Sequence, residues 1–228
     1  MADSLTRCRN VAGIVKSIIP SNEYVIVTAH YDNIGKINGA IYNGADKNAS
    51  GVTAMLNLSE MFGTMRKAGM GPGKNIIFVA LDGTEHNMAG SKHFIEDLNV
   101  QKDNIICNIN IDQIGTVLEP VIEKDTNFVI VLGEKTLRKE HRGKIDMCNR
   151  FYNIGLTVDH TFYGSKMFTD IFYQLSDQIV FRNAGIPALV FTSGFHKYTN
   201  KTTDDPCIIS YPVLKKRTIL LFYLIMML

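Results

Sequence analysis

The sequence predicts an α/β fold in which a largely parallel sheet lies between two layers of helices. Short β-branched apolar runs that end in polar residues recur along the chain, as is typical of central strands covered on both faces. Segments with apolar residues at helical spacing lie between these runs, so strands and helices alternate. This alternation favours parallel strands joined by crossover helices, with ligand sites at the carboxyl ends of the strands.

The first predicted strands are "EYVIVTAHYD" (residues 23–32) and "KNIIFVALD" (residues 74–82). Between them, "NASGVTAMLNLSEMFGTMRKAG" begins with asparagine and serine capping residues and ends at Gly69, which predicts a crossover helix. The alternation then continues to the C-terminus. It predicts strands near residues 104–112, 127–132 and 186–193, and helices near residues 90–98, 135–152, 177–183 and from 212 onwards.

The composition indicates one globular domain over residues 1–228, with 46% apolar and 20% charged residues. The net charge of +2 argues against nucleic acid or an anionic membrane as a partner. The apolar C-terminal run "TILLFYLIMML" is about half the roughly 20 residues of a spanning helix, so we expect a buried terminal helix rather than a membrane anchor. The polar start "MADSLTRCRN" lacks the apolar core of a signal peptide.

The four cysteines are scattered and form no C-x-x-C pair. Neither a structural zinc module nor a disulfide scaffold is indicated, and we expect Cys8, Cys107, Cys148 and Cys207 to be small buried hydrophobic residues.

Polar side chains follow several of the predicted strands. They are His30 and Asp32 in "AHYD", Glu85 and His86 in "DGTEH", and Asp112 in "NIDQIG". Each alone has an ordinary interpretation as a surface or loop residue. Together, imidazole and carboxylate groups on separate strand ends can converge on a cation such as zinc, with Asp32 orienting His30.

Five motifs in this order resemble one known family. They are "VTAHYDNIG", "NGADKNASGVTAML", "IIFVALDGTEHNMAGSKHF", "NINIDQIG" and "SDQIVFRNAGIPALVFTSGFH". Over residues 10–227 the chain resembles the co-catalytic zinc aminopeptidases of metallopeptidase family twenty-eight, which include bacterial leucyl aminopeptidases and are related to glutaminyl cyclases. The resemblance implies a three-layer α/β/α sandwich with a mixed, mostly parallel sheet, two zinc ions at the strand ends, and removal of amino-terminal residues from peptides.

Members of this family are typically exported, whereas this chain shows no signal peptide and begins close to its first core strand. A truncated N-terminus is therefore one interpretation of the sequence.

The resemblance places four retained residues at site positions. His30 matches the first metal histidine, and Asp32 matches the acid that orients it. Glu85 and Asp112 match two metal carboxylates. These matches imply that His30, Glu85 and Asp112 are the candidate zinc ligands.

Three other site positions are changed. Lys47 stands where the family has a carboxylate that bridges the two metals, and an ammonium cannot bridge two cations. Thr84 stands at the position of the general base, and a threonine hydroxyl has no accessible basic form near neutral pH. Asn200, a weaker zinc ligand, stands where the family has its last histidine. A one-residue slip would make Asp46 the bridge, and a shifted loop would bring in His196.

These changes predict at most one weakly bound zinc ion, or no metal. Lys47 either points into the site, where its charge would meet Glu85 and Asp112, or extends into solvent. Two functions follow. One is a metallohydrolase with an altered metal site. The other, which the sequence favours, is a catalytically degenerate domain whose cleft binds a peptide or protein N-terminus without cleaving it.

Overall fold

The computed structural model describes residues 8–228, which contain nine strands and six α-helices. The strands are β1 (Val11–Val15), β2 (Tyr24–His30), β3 (Gly35–Ile37), β4 (Ala40–Tyr42), β5 (Asn75–Leu81), β6 (Ile105–Ile111), β7 (Phe128–Leu132), β8 (Thr157–Asp159) and β9 (Ala188–Thr192). The helices are α1 (Gly51–Lys67), α2 (Ala89–Glu96), α3 (Lys144–Phe151), α4 (Lys166–Phe172), α5 (Gln178–Asn183) and α6 (Tyr211–Met227).

Seven strands form the central sheet in the order β1-β5-β2-β6-β9-β7-β8, and β3 and β4 form a separate hairpin. The pairs β1 with β5 and β7 with β9 are antiparallel, and the other four pairs of the large sheet are parallel. The predicted fold class, with a mixed and mostly parallel sheet, is confirmed.

Helices cover both faces of this sheet. The strand period of two separates neighbouring side chains of β2, so that Val25 and Val27 face one core and Ile26 faces the other. Helices α1, α3 and α6 pack on the first face, where Leu58 of α1 is fully buried. Helices α2 and α5 pack on the second face, where Phe94 and Phe181 lie 6.1 Å apart. Burial on both faces explains why the central strands read as continuous apolar runs.

The helix predicted over residues 135–152 is wrong in its first half, because α3 begins only at Lys144. Two short 3-10 turns precede it, at Glu134–Thr136 and Lys139–His141. Their polar groups have other partners: the Glu134 carboxylate accepts from the Gly143 N–H at 2.8 Å, and the Arg142 side chain donates to two backbone carbonyls. Strands β1, β3, β4 and β8 and helix α4 were not predicted.

The C-terminal run forms a buried helix as predicted, with Leu220, Leu221 and Leu224 of α6 in the core. Among residues 8–228, no helix is long and apolar enough to cross a membrane. The structure has all four cysteines as free thiols. Cys107 and Cys148 are buried as predicted, but that prediction is wrong for Cys207, which is exposed on a 3-10 turn, and for Cys8, which is half-buried.

Candidate active-site cleft

The candidate site lies at the carboxyl edge of the parallel strands, as the sequence predicts. His30 ends β2 and Asp112 follows β6. Thr84 and Glu85 lie in the loop after β5, and Lys47 lies in the irregular turn Ala45–Ser50 that leads into α1. Because parallel strands end at the same edge of a sheet, residues distant in sequence meet there.

The His30 ring is fully buried between two carboxyl groups. Its Nδ1 lies 3.0 Å from the Asp32 carbonyl oxygen and 3.5 Å from Asp32 Oδ1, and its Nε2 lies 3.5 Å from Asp112 Oδ1. Burial disfavours the imidazolium, but the two carboxylates outweigh that effect and raise the pKa of His30 to about 10. In this arrangement His30 is positively charged at neutral pH and compensates both acids.

Asp112 is a buried acid that lines the cleft. Its Oδ2 accepts a hydrogen bond from Ser176 Oγ at 2.7 Å. Burial opposes its ionisation, but His30, followed by Lys47 and Ser176, outweighs burial and lowers the pKa of Asp112. The pKa of Asp32 is also lowered: His30 and the Glu85 N–H, which donates to Asp32 Oδ2 at 3.0 Å, outweigh the effect of burial.

Lys47 points into the cleft. Its Nζ lies 3.0 Å from Glu85 Oε1, and the two side chains are 15% and 24% exposed. Lys47 and Asp112 line the same cleft. The turn that carries Lys47 is held by Asp204, whose carboxylate accepts the N–H groups of Asp46 and Lys47 at 2.8 and 3.0 Å. The sequence left open whether Lys47 points into the site or extends into solvent, and in the structure it points into the site.

Asp46 and His196 contact each other. His196 Nε2 lies 3.0 Å from Asp46 Oδ2, and both side chains are buried. Asp46 Oδ1 also accepts from Ser50 Oγ and from the Gly115 N–H, at 2.9 and 2.6 Å. A Cβ atom at position 115 would lie 2.7 Å from that oxygen, which explains the glycine there. That Asp46 and His196 act as substitute metal ligands stays a prediction. Their contacts do not favour it, because the two side chains already bind each other.

Asn200 lies exposed on a turn with a φ of 59°. It is absent from the residues that line the cleft within the described part of the chain. Its assignment to a ligand position therefore stays a prediction from the aligned motif alone.

The hydroxyl at the base position is itself a hydrogen-bond donor. Thr84 Oγ1 donates to Asp177 Oδ2 at 2.7 Å, and Ser91 Oγ donates to Asp177 Oδ1 at 2.7 Å. Burial raises the pKa of Asp177. Asp177 and Ser176 are functional candidates that the sequence does not indicate by itself. The only sign of them in the sequence is that they form a polar pair directly before α5, at the start of the motif "SDQIVFRNAGIPALVFTSGFH".

One wall of the cleft is apolar. Besides Lys47, Asp112 and Gln113, aliphatic and aromatic side chains line the cleft and form what we call its apolar wall. These are Leu132, Phe162, Phe172, Leu175, Val190 and Phe195. The cleft therefore combines charged side chains with an apolar wall that suits an apolar ligand group.

Comparison with known proteins identifies the family. Residues 10–225, nearly the whole chain, match the family described as "Peptidase family M28". The chain belongs to peptidase family M28. The resemblance stated from the sequence motifs is thereby confirmed.

Two solved structures show the same fold. A zinc aminopeptidase from Bacillus subtilis has a TM-score of 0.72 at 21% identity, over 95% of this chain and 49% of that one. A glutaminyl cyclase from Bacteroides thetaiotaomicron has a TM-score of 0.69 at 18% identity, over 96% of this chain and 77% of that one. Among curated proteins, the Gallus gallus "BOS complex subunit NCLN" is 32% identical over 100 residues, which are 40% of this chain and 17% of that protein. The chain thus matches only a small part of the length of such relatives.

The two-zinc centre that the M28 fold implies does not fit the side chains present. One pair of donors is suitable, because His30 Nε2 and Asp112 Oδ1 lie 3.5 Å apart and neither has a hydrogen-bond partner among residues 8–228. However, the Glu85 carboxylate is bound to the Lys47 ammonium. Across the described residues, no group of three His, Cys, Asp or Glu side chains is arranged to hold a metal ion.

Proposed function

We propose that this M28 domain binds the amino-terminal segment of a peptide or protein in its cleft and does not cleave it. The observation that carries the proposal is the ion pair of Lys47 Nζ with Glu85 Oε1 at 3.0 Å. An ammonium from the bridging position neutralises a carboxylate that the family resemblance makes a metal ligand. Lys47 therefore neutralises Glu85 without a metal ion, and we expect at most one weakly bound zinc ion and no two-metal clamp.

The hydrogen bond of Thr84 also supports a non-catalytic role. Hydrolysis needs a group that accepts a proton from the attacking water, and such general-base catalysis typically contributes 10²–10⁴-fold to the rate. Thr84 is a poor base, and its hydroxyl proton is directed to Asp177 at 2.7 Å. Without a base at this position we expect very slow turnover even if one metal ion is bound.

The charges of the cleft favour a cationic ligand group. Three carboxylates, those of Asp32, Glu85 and Asp112, face two cations, His30 and Lys47. Asp112 Oδ1 accepts no hydrogen bond from any described residue. An α-ammonium group carries three N–H donors and would both balance the charge and satisfy this oxygen.

One curated relative agrees with a binding role, since the Gallus gallus protein is named as a subunit of a complex rather than as an enzyme. The second candidate function is a zinc-dependent exopeptidase with an altered metal site. The spacing of His30 Nε2 and Asp112 Oδ1 favours it, because 3.5 Å is suited to two ligands of one zinc ion.

A peptide-binding experiment tests the proposal. Fluorescence anisotropy would compare a labelled heptapeptide that has a free amino terminus with the same peptide N-acetylated, and mass spectrometry would follow cleavage over several hours. We expect the free peptide to bind at least roughly ten-fold more tightly, because acetylation removes the ammonium. Asp112→Asn should remove this preference, whereas Asp97→Asn, on the 70% exposed Asp97, should retain it. Equal binding of both peptides, or rapid cleavage, would contradict the proposal.

A further inference from the structure

Exposed apolar side chains are concentrated beside the cleft. Within residues 163–175, five large apolar side chains are exposed, and Phe195 adds a sixth nearby. We call this surface the apolar ridge. It consists of Tyr163, Met167, Phe168, Ile171, Leu175 and Phe195. Contiguous apolar surface of this kind marks interaction sites, whereas isolated apolar side chains are ordinary.

The ridge is continuous with the apolar wall of the cleft. The Phe162 and Phe172 rings, which line the cleft, stack with centroids 3.7 Å apart. From this pair, contacts extend outward to Tyr163 at 4.9 Å, Phe195 at 5.0 Å and Phe168 at 6.2 Å. Leu175 and Phe195 belong to both surfaces. A ligand held beside Asp112 therefore lies next to the ridge.

Three apolar side chains of helix α4, those of Met167, Phe168 and Ile171, are exposed, whereas Phe172 packs against the core. All seven of its residues remain at least partly exposed, and Met167 is 64% exposed. The polar residues among them include one of each charge, Lys166 and Asp170, so the helix has no net charge. A strongly charged partner would find no complement here, whereas apolar side chains would be desolvated against this face.

We infer that the apolar ridge binds the residues that follow the amino terminus of the ligand, and that the ligand is a polypeptide with an apolar amino-terminal segment. A seven-residue helix is about 10 Å long, which matches about three residues of an extended chain. In this arrangement the ligand's ammonium group contacts Asp112, and its first side chain contacts the apolar wall of the cleft. Its next two or three side chains contact α4. This inference rests on the proposed function and adds the class of ligand.

Two heptapeptides with free amino termini and a C-terminal fluorophore test the inference by anisotropy. One begins with leucine, phenylalanine and isoleucine, and the other begins with leucine, serine and glycine. We expect the apolar peptide to bind about ten-fold more tightly. The variant Met167→Ser/Phe168→Ser should lose this difference and bind the polar peptide as the wild type does. The matched control is Met147→Ser/Phe151→Ser on α3, where the two side chains are 43% and 75% exposed, and it should retain the difference.

The outcomes separate this inference from the proposed function. If the polar peptide binds through its amino terminus and the apolar peptide binds no better, only the inference is overturned. If neither peptide binds, the proposed function fails and the inference fails with it. Sedimentation of the same variants tests a different occupant. A wild-type dimer that Met167→Ser/Phe168→Ser disrupts would assign the ridge to a second copy of the chain and overturn the peptide assignment.

Discussion

Lys47 contributes a positive charge to the cleft. Its ammonium lies against Glu85 and helps to lower the pKa of Asp112, so it acts on two of the carboxylates that the family resemblance assigns to metal. The side chains of Lys47 and Glu85 are mostly but not fully buried. Their contribution to stability should therefore lie between that of a surface pair and that of a buried pair.

We predict that Lys47→Met lowers the free energy of unfolding by about 1–3 kcal/mol, because Glu85 and Asp112 lose a compensating charge. Thermal melts measure the change. The control is Lys92→Met, since Lys92 is exposed on α2, and it should change stability by less than about 0.5 kcal/mol. If Lys47→Met melts together with the wild type, Lys47 is not acting as an internal cation.

Lys47→Asp extends this test to metal. The substitution places a third carboxylate beside Glu85 and Asp112, so in a chelator we expect at least as much destabilisation as for Lys47→Met. Added zinc should recover part of the loss, by about 2.7 kcal/mol at a hundred-fold excess over its dissociation constant. The wild type should show a much smaller zinc-dependent shift. Equal shifts of both proteins would indicate that Lys47 does not replace a metal.

The sequence predicted part of this cleft at the level of single residues. His30, Asp32, Glu85 and Asp112 were foreseeable, because polar residues directly after apolar strands meet at one sheet edge. The hydrogen bonds around them were not, because they join distant residues. Thr84 and Asp177 are 93 positions apart, and Asp46 and His196 are 150 apart. Neither periodicity nor spacing carries information about such pairs.

At the level of secondary structure, burial separates the predicted elements from the missed ones. Strand β6 is buried at every position and was predicted. Strand β1 pairs only with β5 at the sheet edge and has four exposed residues, and its apolar run VAGIV is only five residues long with Gly13 at its centre. Helix α4 has only seven residues, and none of them is fully buried. Hydrophobic patterns predict long buried elements well, but they are weak evidence for short elements at the surface.

Arg217 joins α6 to the sheet and was not foreseen within an apolar helix. Its guanidinium is fully buried and donates to the carbonyls of Phe128, Ile114 and Thr116 at 2.7–2.8 Å. Burial lowers its pKa to about 10, so it remains charged at neutral pH. Two of the three carbonyls flank Gly115, whose N–H binds Asp46. The side chain thus connects the terminal helix to the segment behind the cleft.

We predict that Arg217→Met destabilises the fold by about 3–5 kcal/mol, because three buried carbonyls lose their donors. Arg217→Lys should recover little, since one ammonium cannot reproduce the spacing of the guanidinium donors. Urea unfolding measures both variants. Arg150→Met, at an exposed position of α3, serves as the control. A loss below about 1 kcal/mol for Arg217→Met would contradict this account.

Lys74 gives α6 a pH-dependent contact. Its Nζ lies 3.4 Å from the Ile225 carbonyl, and burial, together with Lys144, lowers its pKa to about 8. The folded state therefore prefers neutral Lys74. The cost of its charge is fully present below pH 8 and is relieved as the pH rises towards the unfolded value of about 10.4.

We predict that Lys74→Met has a higher melting temperature and a larger free energy of unfolding than the wild type at pH 7. The difference in free energy should shrink between pH 8 and pH 10, by at most about 3 kcal/mol. Comparing the two proteins at each pH cancels the titration of all other groups. A difference that stays constant across this range would show that Lys74 is not held in a buried, charge-disfavouring position.

At the scale of the whole molecule, the M28 fold and the cleft chemistry are separable. The sheet order, the two helical layers and the apolar cores lie in the strands and helices. The positions that the resemblance marks as changed, Lys47, Thr84 and Asn200, lie in turns and loops. Loops of this kind can change their side chains without disturbing the core. The family's fold can therefore persist whether or not its hydrolytic chemistry does.

We predict that the purified protein holds at most one zinc ion per chain and hydrolyses aminoacyl chromogenic substrates far below a typical enzyme's roughly 10 s⁻¹. The reason is the combination of Lys47 beside Glu85 with Thr84 at the base position. Elemental analysis of protein prepared without added metal or chelator gives the zinc content, and absorbance assays with and without added zinc give the rate.

Thr84→Glu provides the informative comparison. If base loss alone had silenced the site, this single variant would regain turnover in zinc. If Lys47 also blocks the metal, only Lys47→Asp/Thr84→Glu should do so. Wild-type turnover within about ten-fold of that typical value, together with two tightly held zinc ions, would reject the non-catalytic function.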